Sequence, residues 1–569
     1  MRKVLLVALA VLVAAALALP ASAGPSGQAG TAASAQPSGQ LQSANGEYVV
    51  AYADGVSAAT ARAAIKAAGG TVLKENTRVG VATVKSTNPA FITAAGGQSA
   101  LVGAARNRPV GKLPSGAGAP REDVERLTAA ERATAKSSAS RAGNAPDQEP
   151  FADKQWDMRM VDATPSGSYR VNQGRRGVMV GIIDTGVDGN HPDIKPNFDA
   201  ALSRNFTTDI PLVDGPCEVP SCVDPPNVDE NGHGTHVAGL AAAAINGLGT
   251  AGVAPKVTLV NIRAGQDAGF FFLQPTVDAI VYAGLVGIDV INMSYFTDPW
   301  LFNCLDNPAD SPEEQLEQRT IRVATQRAIN FARGHGVTPV AALGNEHTDL
   351  GNPTIDTISP DFPPGSERTR EVDNSCITVP TETRGVISIS SLGPSGYKAD
   401  YSNYGIEQTD FSAPGGWFRD YFGMPQNRQV ENLNLAPYPE NVAIANGDLN
   451  PDGTPNTPFV LRDCKGSTCA YYQYIQGTSM ASPHAAGVAA LIVSAHGKRD
   501  NQRGGLTLDP RTVERILTKT AKQTPCPSPP NFAYPDDRDP SFDGVCVGTL
   551  ARNGIYGRGV VNALTAVLD

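Results

Sequence analysis

From residue 150 onward, short apolar runs rich in β-branched residues alternate with helix-like stretches, and this alternation limits the fold more than any other feature of the chain. The runs "GVMVGIID", "VTLVNIR", "IDVINMS", "VTPVAALG" and "GVISISSLG" are bounded by turn residues and predict strands. Between them, "HGTHVAGLAAAAI", "TVDAIVYAGLVG" and "EQRTIRVATQRAINFARG" predict helices. Strands that alternate with helices imply an α/β fold with a mostly parallel central sheet. In such a sheet, chemistry gathers at the carboxyl ends of the strands.

A further helix is predicted in "QGTSMASPHAAGVAALI", residues 476 to 492, where Ala481, Ser482, Ala485, Ala486, Gly487, Ala489 and Ala490 are all small. Small residues let a buried helix press against neighbouring backbone. Packing does not explain Gly477-Thr478-Ser479 at the helix entrance, where unpaired N–H groups and the positive end of the helix dipole converge. A hydroxyl placed there is a candidate nucleophile.

The chain before residue 150 has a different character. Arg2 and Lys3 precede an apolar run from Val4 to Leu19 and then Ala21-Ser22-Ala23, the pattern of a signal peptide (1–23) on an exported protein. Residues 24–46, rich in Gly, Ala, Ser and Gln, read as a disordered leader. Residues 47–111 then read as a small α+β module: a strand in "EYVVAYADG", a helix in "SAATARAAIKAAGG", and two strands in "TVLKENTRVGVATVKS". Residues 112–149 return to linker composition with one short charged helical stretch, and the main domain spans 150–569.

Charge is divided unevenly. Residues 1 to 146 carry +8 and the rest −18, which favours docking of the N-terminal part on the remainder. An acidic main domain argues against a nucleic-acid partner. The eight cysteines all lie beyond residue 216 and suit an oxidising compartment. Cys217/Cys222 and Cys464/Cys469 are near enough to close small loops and Cys526/Cys546 a C-terminal one, leaving Cys304 and Cys376 for a long-range bridge, although spacing alone does not define the pairing.

Three residues stand out chemically. Asp184 ends the run "VMVGIID", where a strand gives way to a turn; His233 opens a helix after Asn231-Gly232; Ser479 lies at the entrance just described. A serine hydroxyl needs a base such as imidazole to take its proton, and the imidazole needs a carboxylate to hold its tautomer and stabilise its charged form. His236 follows His233 by three residues, but HxxH lacks the spacing and the glutamate of a zinc peptidase motif.

The order Asp, His, Ser is that of subtilisin. The segments "GIIDTGVDGNHPDI", "NGHGTHVAG" and "GTSMASPHAAGVAAL" resemble the three signature segments of subtilisin-like serine peptidases, and the resemblance extends over roughly residues 150 to 569. It implies a mostly parallel sheet of about seven strands flanked by helices, with Asp184, His233 and Ser479 as catalytic residues and His236 and His484 as packing residues. "PVAALGNEH" resembles the segment that supplies an oxyanion donor, which assigns that role to Asn345 beside the backbone N–H of Ser479.

The family often binds structural calcium. Asp193 in "HPD" and Asn246 in "AINGLGTAGVAP" match ligand positions, with Asp153 and Gln155 as alternatives for a further one; no cofactor is needed for the chemistry. "DLNPDG" (448–453) resembles the start of an EF-hand loop, but the twelfth position is Phe459. The chain departs from the family along the substrate edges, where Ser294-Tyr295-Phe296-Thr297 and "AGQDAGFFF" (264–272) bring in aromatic residues, and in insertions at about 297–320, 350–375 and 417–470.

The module at 47–111 resembles the family's inhibitory propeptide. The expected protein is a secreted endopeptidase acting on protein or peptide substrates through an acyl-enzyme. It is made as a self-processing precursor, inhibited by its own propeptide and without a membrane anchor after signal cleavage. The alternative is a secreted, catalytically silent binding or scaffold protein on the same fold.

Overall fold

The computed structural model of the chain describes residues 46–107, 124–125, 127–136 and 149–569, apart from 212, 535–537 and 539. The expected signal peptide, the leader up to residue 45 and much of the 112–149 segment lie outside the described residues.

The N-terminal module is built as β1 (Glu47–Tyr52), α1 (Ala58–Ala67), β2 (Gly70–Asn76), β3 (Val81–Ser86), α2 (Phe91–Gly96) and β4 (Leu101–Arg106). Ser57 caps α1 by accepting from Thr60 N at 3.1 Å. Gly69, at φ 92°, ends the helix in a left-handed turn and feeds β2. The strands pair antiparallel in the order β2-β3-β1-β4 over a core that includes Val50, Ile65, Val84 and Phe91. The sequence reading missed α2 and β4: one is too short to show a helical period, and the other, "LVGAAR", has Gly and Ala where a strand signal needs β-branched residues.

In the segment that follows, the short charged helix is α3 (Ala129–Thr134), set by a reciprocal capping box between Thr128 and Glu131. The main domain opens with α4 (Trp156–Met160) and then alternates: β5 (Met179–Ile183), β6 (Arg204–Asn205), α5 (His233–Ala242), β7 (Thr258–Arg263), α6 (Leu273–Val286), β8 (Val290–Met293), α7 (Pro312–Gly334) and β9 (Thr338–Ala342). After a hairpin of β10 (Ile355–Asp356) and β11 (Arg370–Glu371) come β12 (Ile387–Leu392) and β13 (Phe411–Pro414). The central sheet has seven strands in the order β13-β12-β9-β8-β5-β7-β6, every neighbouring pair parallel. The predicted strands and helices of this domain are all present.

Alternate residues divide the core between the two faces of the sheet. Val180 and Ile182 of β5, with Val290 and Val340, pack against α5 and α9 (Thr478–His496); Ile183, Ile291 and Ala341 pack against α6 and α7. Full burial of each such aliphatic side chain contributes about 1.5–3 kcal/mol. The N-terminal module rests on α6 and α7. Val49, Val81 and Ala105 join their core, and Gly96 and Gly103 leave room for Leu316 and Thr320. Lys74–Asp278 (2.8 Å) and Arg106–Glu317 (3.2 Å) follow the charge asymmetry, while Arg327–Asp54 has the opposite polarity. Lys74 and Asp54 are exposed, so their pairs contribute little, and the apolar contact together with the buried Arg106–Glu317 pair carries this interface.

The insertions have cores of their own. Cys304–Cys376 ties the stretch after β8 to the β10–β11 region, where fully buried Arg370 pairs with Asp310 (2.8 Å) and Asp356 (2.6 Å) under Trp300. Residues 417–470 supply β14 (Asn434–Tyr438), α8 (Glu440–Ala445) and β15 (Val460–Lys465), and with β16 (Thr468–Ile475) they form an antiparallel sheet in the order β14-β16-β15. Cys464–Cys469 closes its hairpin. Cys217–Cys222 and Cys526–Cys546 complete the four disulfides, the pairings that spacing made available. Phe459 is buried in the core of this insertion, so "DLNPDG" is a turn. Among the described residues no helix is long and apolar enough to cross a membrane.

Candidate active site

Asp184 directly follows β5, one of the inner strands, and is wholly buried. Its Oδ1 accepts from Thr185 N at 2.7 Å and lies 2.7 Å from His233 Nδ1. Gly234 makes the approach possible: a Cβ there would lie 2.0 Å from Gly186 O and 3.0 Å from Asp184 Cβ. The glycine after His233 thus lets α5 press against the turn that carries the carboxylate.

The start of α5 has no side-chain cap at Gly232. Asp229 takes that role from a distance. Its Oδ1 accepts from Asn231 N (3.1 Å) and Gly232 N (2.9 Å), and its Oδ2 from Thr235 N (3.0 Å) and the Thr235 hydroxyl (2.6 Å). Thr185 binds the same carboxylate and accepts from Gly234 N, joining the Asp184 turn to the helix. A buried anion at a helix N-terminus is stabilised by the free N–H groups and the dipole.

Ser479 lies in the first turn of α9, 5% exposed, and its Oγ donates to Ser294 O at 3.4 Å. Asn345, just past β9, is oriented by Thr478, whose N–H (2.9 Å) and hydroxyl (2.8 Å) both donate to its Oδ1. The Thr478 hydroxyl also accepts from Gly344 N at 3.0 Å. Of the two hydroxyls at the helix entrance, that of Thr478 aims the amide and that of Ser479 makes one long contact, with Ser294 O. The structure brings Asp184, His233, Ser479 and Asn345 together at the carboxyl ends of β5, β8 and β9.

A fifth group shares this centre. Glu125 Oε2 lies 3.2 Å from His233 Nε2, and Glu125 Oε1 accepts from Asn345 Nδ2 at 3.3 Å. Burial alone would depress the His233 pKa, but the carboxylates of Asp184 and Glu125 outweigh it and hold the imidazole well above its ordinary range. Burial pushes the Asp184 carboxyl up, against the pull of His233.

His236 and His484 are buried against backbone carbonyls. His236 Nε2 faces the carbonyls of Gln473 (2.9 Å) and Asn434 (3.2 Å), and burial depresses its pKa to about 4. His484 is buried between Met480 O and Asp157. The aromatic edges join each other: Tyr295 stacks on Phe271 at 4.1 Å, while Phe296 packs towards Leu301, Phe302 and Leu343.

Asp193 and Asn246 also meet. Asp193 accepts from Asn246 Nδ2 (3.0 Å), Thr250 N (3.3 Å) and the Tyr472 hydroxyl (2.7 Å), and burial pushes its carboxyl up to about 7. Asn246 Oδ1 is buried without a hydrogen-bond partner. An orphaned amide oxygen beside a desolvated carboxylate fits a hard cation. Gln155 is satisfied by both backbone groups of Ala251 and is not available to it. A second carboxylate group, Asp209, Glu218, Asp224 and Asp267, surrounds Arg263, which pairs with Asp224 (2.6 Å) and Asp267 (2.7 Å) and supplies positive charge there.

The sequence profile of the Subtilase family matches residues 175–553, well over half of the chain. The chain belongs to the Subtilase family. This subtilase is 30% identical over 359 residues to the nisin leader peptide-processing serine protease NisP of Lactococcus lactis subsp. lactis, covering 62% of this chain and 46% of NisP. It is 29% identical over 351 residues to subtilisin DY of Bacillus licheniformis, covering 61% of this chain and 86% of that one. It therefore spans about half the length of NisP, and the match to the thermophilic serine proteinase of Bacillus sp. (strain AK1) covers 55% of that relative. Among solved structures, the epidermin leader peptide processing serine protease of Staphylococcus aureus shares the fold at TM-score 0.57 and 21% identity, covering 93% of this chain and 98% of that one.

Proposed function

We propose that this subtilase is an exported serine endopeptidase that cleaves peptide bonds through an acyl-enzyme. The observation that carries the reading is the buried 2.7 Å contact of Asp184 with His233, facing a helix entrance that holds Ser479 next to the amide of Asn345. In this reading Ser479 Oγ attacks the scissile carbonyl while His233 takes its proton. Asp184 holds the Nδ1–H tautomer and stabilises the imidazolium, and Asn345 Nδ2 with Ser479 N–H receives the developing oxyanion. His233 then protonates the leaving amine, and water repeats the sequence on the ester.

The 47–111 module, described up to Asn107, is read as the inhibitory propeptide of a self-processing precursor, supported by its docking on α6 and α7. A calcium ion is assigned to Asp193 and Asn246, where it would brace the loop after α5 and take no part in the chemistry. By name, NisP processes a leader peptide; a comparably narrow substrate range is proposed here because the insertions and the joined aromatic edges flank the site.

The test is fluorophosphonate labelling of the processed protein with peptide mapping, against Ser479→Ala. A single adduct on Ser479 is expected. Absence of an adduct on protein shown by mass to lack residues 1–136 favours the silent scaffold.

A further inference from the structure

Residues 124–136 have the composition of a linker, yet their described part is attached throughout to the main domain. Gln476, whose Oε1 is fixed by Phe418 N at 2.8 Å, donates from Nε2 to Val124 O at 2.9 Å. Leu127 is buried with Phe418, Val430, Leu433 and Phe459. Glu131 pairs with Arg419 at 2.7 Å, and Arg132 lies over the Phe459 ring at 4.5 Å and reaches Asp448 at 3.4 Å. Lys136 exchanges backbone hydrogen bonds with Arg428 (3.0 Å) and Val430 (2.9 Å). The 417–470 insertion is the bed for this segment.

The anchoring delivers one side chain to the reacting centre. Glu125 Oε1 meets Asn345 Nδ2 and Glu125 Oε2 meets His233 Nε2, while Gly477 leaves space that a Cβ would take from Oε1 at 2.8 Å. These contacts imitate part of a transition state: one carboxylate oxygen accepts from the oxyanion donor Asn345, and the other lies beside the ring nitrogen that would handle the proton. A carboxylate is a poor acyl donor, because its carbon carries no leaving group and its charge repels a nucleophile. Glu125 also favours the imidazolium form of His233, which cannot accept the proton of Ser479, and the Ser479 hydroxyl points to Ser294 O.

We infer that Glu125 is an internal inhibitor of the uncleaved chain, a carboxylate latch that fills the oxyanion donor and ties up the base. The inference rests on the serine-peptidase reading above and adds a second inhibitory element to the 47–111 module. A cut N-terminal to Val124 leaves the latch on the main domain. Full activity requires removal of Glu125, so the N-terminus of the active form lies beyond that residue.

The experiment measures the rate of fluorophosphonate labelling on full-length chain, resolved from processed chain by gel and mass, for the parent, Glu125→Gln and Glu125→Ala. The parent full-length chain is expected to label at least tenfold more slowly than the processed form, and both variants at least tenfold faster than the parent full-length chain. Glutamine preserves the shape of the side chain, and melting of each variant checks its fold. If the processed form labels and neither variant labels faster than the parent, the latch is overturned while the serine-peptidase reading stands. If no form labels at Ser479, that reading fails and the latch with it. A fully active form that still contains Glu125 also overturns the latch.

Discussion

Thr478 holds Asn345 by a single atom: the backbone N–H and the hydroxyl of Thr478 both donate to Asn345 Oδ1, at 2.9 and 2.8 Å, so the amide nitrogen is turned to the reacting centre. Asn345→Ala is expected to lower kcat by about 10²–10³ with little change in KM, the pattern of an interaction made only in the transition state. Thr478→Val keeps the volume but removes one of the two donors, and a smaller kcat loss of about tenfold is expected. Steady-state kinetics on a fluorogenic peptide checks both. A rise in KM alone would assign Asn345 to ground-state binding.

Ser479→Ala is expected to reduce turnover of the processed enzyme by about 10⁶, the magnitude found in subtilisin rather than one derived from this site. The same variant should accumulate as uncleaved precursor if processing is intramolecular. Activity above a few per cent of the parent would remove Ser479 from the mechanism.

The Glu125–His233 contact makes a pH prediction. Because the folded-state pKa of His233 is raised, its contribution to stability is fully present below the unfolded value near 6.5 and is lost as pH rises through the folded value, well above 6.5. Full-length Ser479→Ala protein should therefore melt higher than the Glu125→Gln/Ser479→Ala double variant at pH 6. The gap should narrow as the pH rises through the folded value, well above 6.5. A gap independent of pH would mean that the contact acts by packing alone.

Calcium removal is expected to loosen the loop around Asn246. Any ligand that binds only the folded state stabilises it, by about 2.7 kcal/mol at a hundred times its Kd. Chelation should lower Tm in the parent protein and have a smaller effect in Asp193→Asn. An equal response in both would locate the ion elsewhere, with the carboxylates around Arg263 as the next place to look.

The disulfides should differ in weight. Cys304–Cys376 closes a separation of 72 residues and Cys217–Cys222 one of 5, so loop entropy assigns about 4 kcal/mol to the first and about 2 kcal/mol to the second. Paired Cys→Ala variants compared by denaturant unfolding test the ranking. Equal losses would show that native packing around Trp300 and Arg370, rather than chain entropy, supports that insertion.

Much of this was legible in the chain because strand and helix periods are local properties, and because Asp184, His233 and Ser479 each sit at an element boundary that the pattern reveals. Asp229 was within view, four residues before His233, but nothing local tells a distant helix cap from one more acidic residue in "VDENGHG". Thr478 was noticed as a hydroxyl without its partner, since Asn345 lies 133 positions away. Glu125 was hidden by its surroundings: a Gly-, Ala- and Arg-rich segment has linker composition whether or not an insertion hundreds of residues later provides a bed for it. Composition reports the cost of ordering a segment but not the surface that offsets it.

The N-terminal module and the 124–136 segment grip opposite parts of one domain, the first on α6 and α7 and the second on the 417–470 insertion. They are joined by residues 108–123. Two attachments on one chain reinforce each other, since with a short flexible connection the second forms at an effective concentration in roughly the millimolar range. On the self-processing reading proposed above, the pair would act as an avidity lock, and a cut in the connection alone would leave each half to dissociate at its own rate.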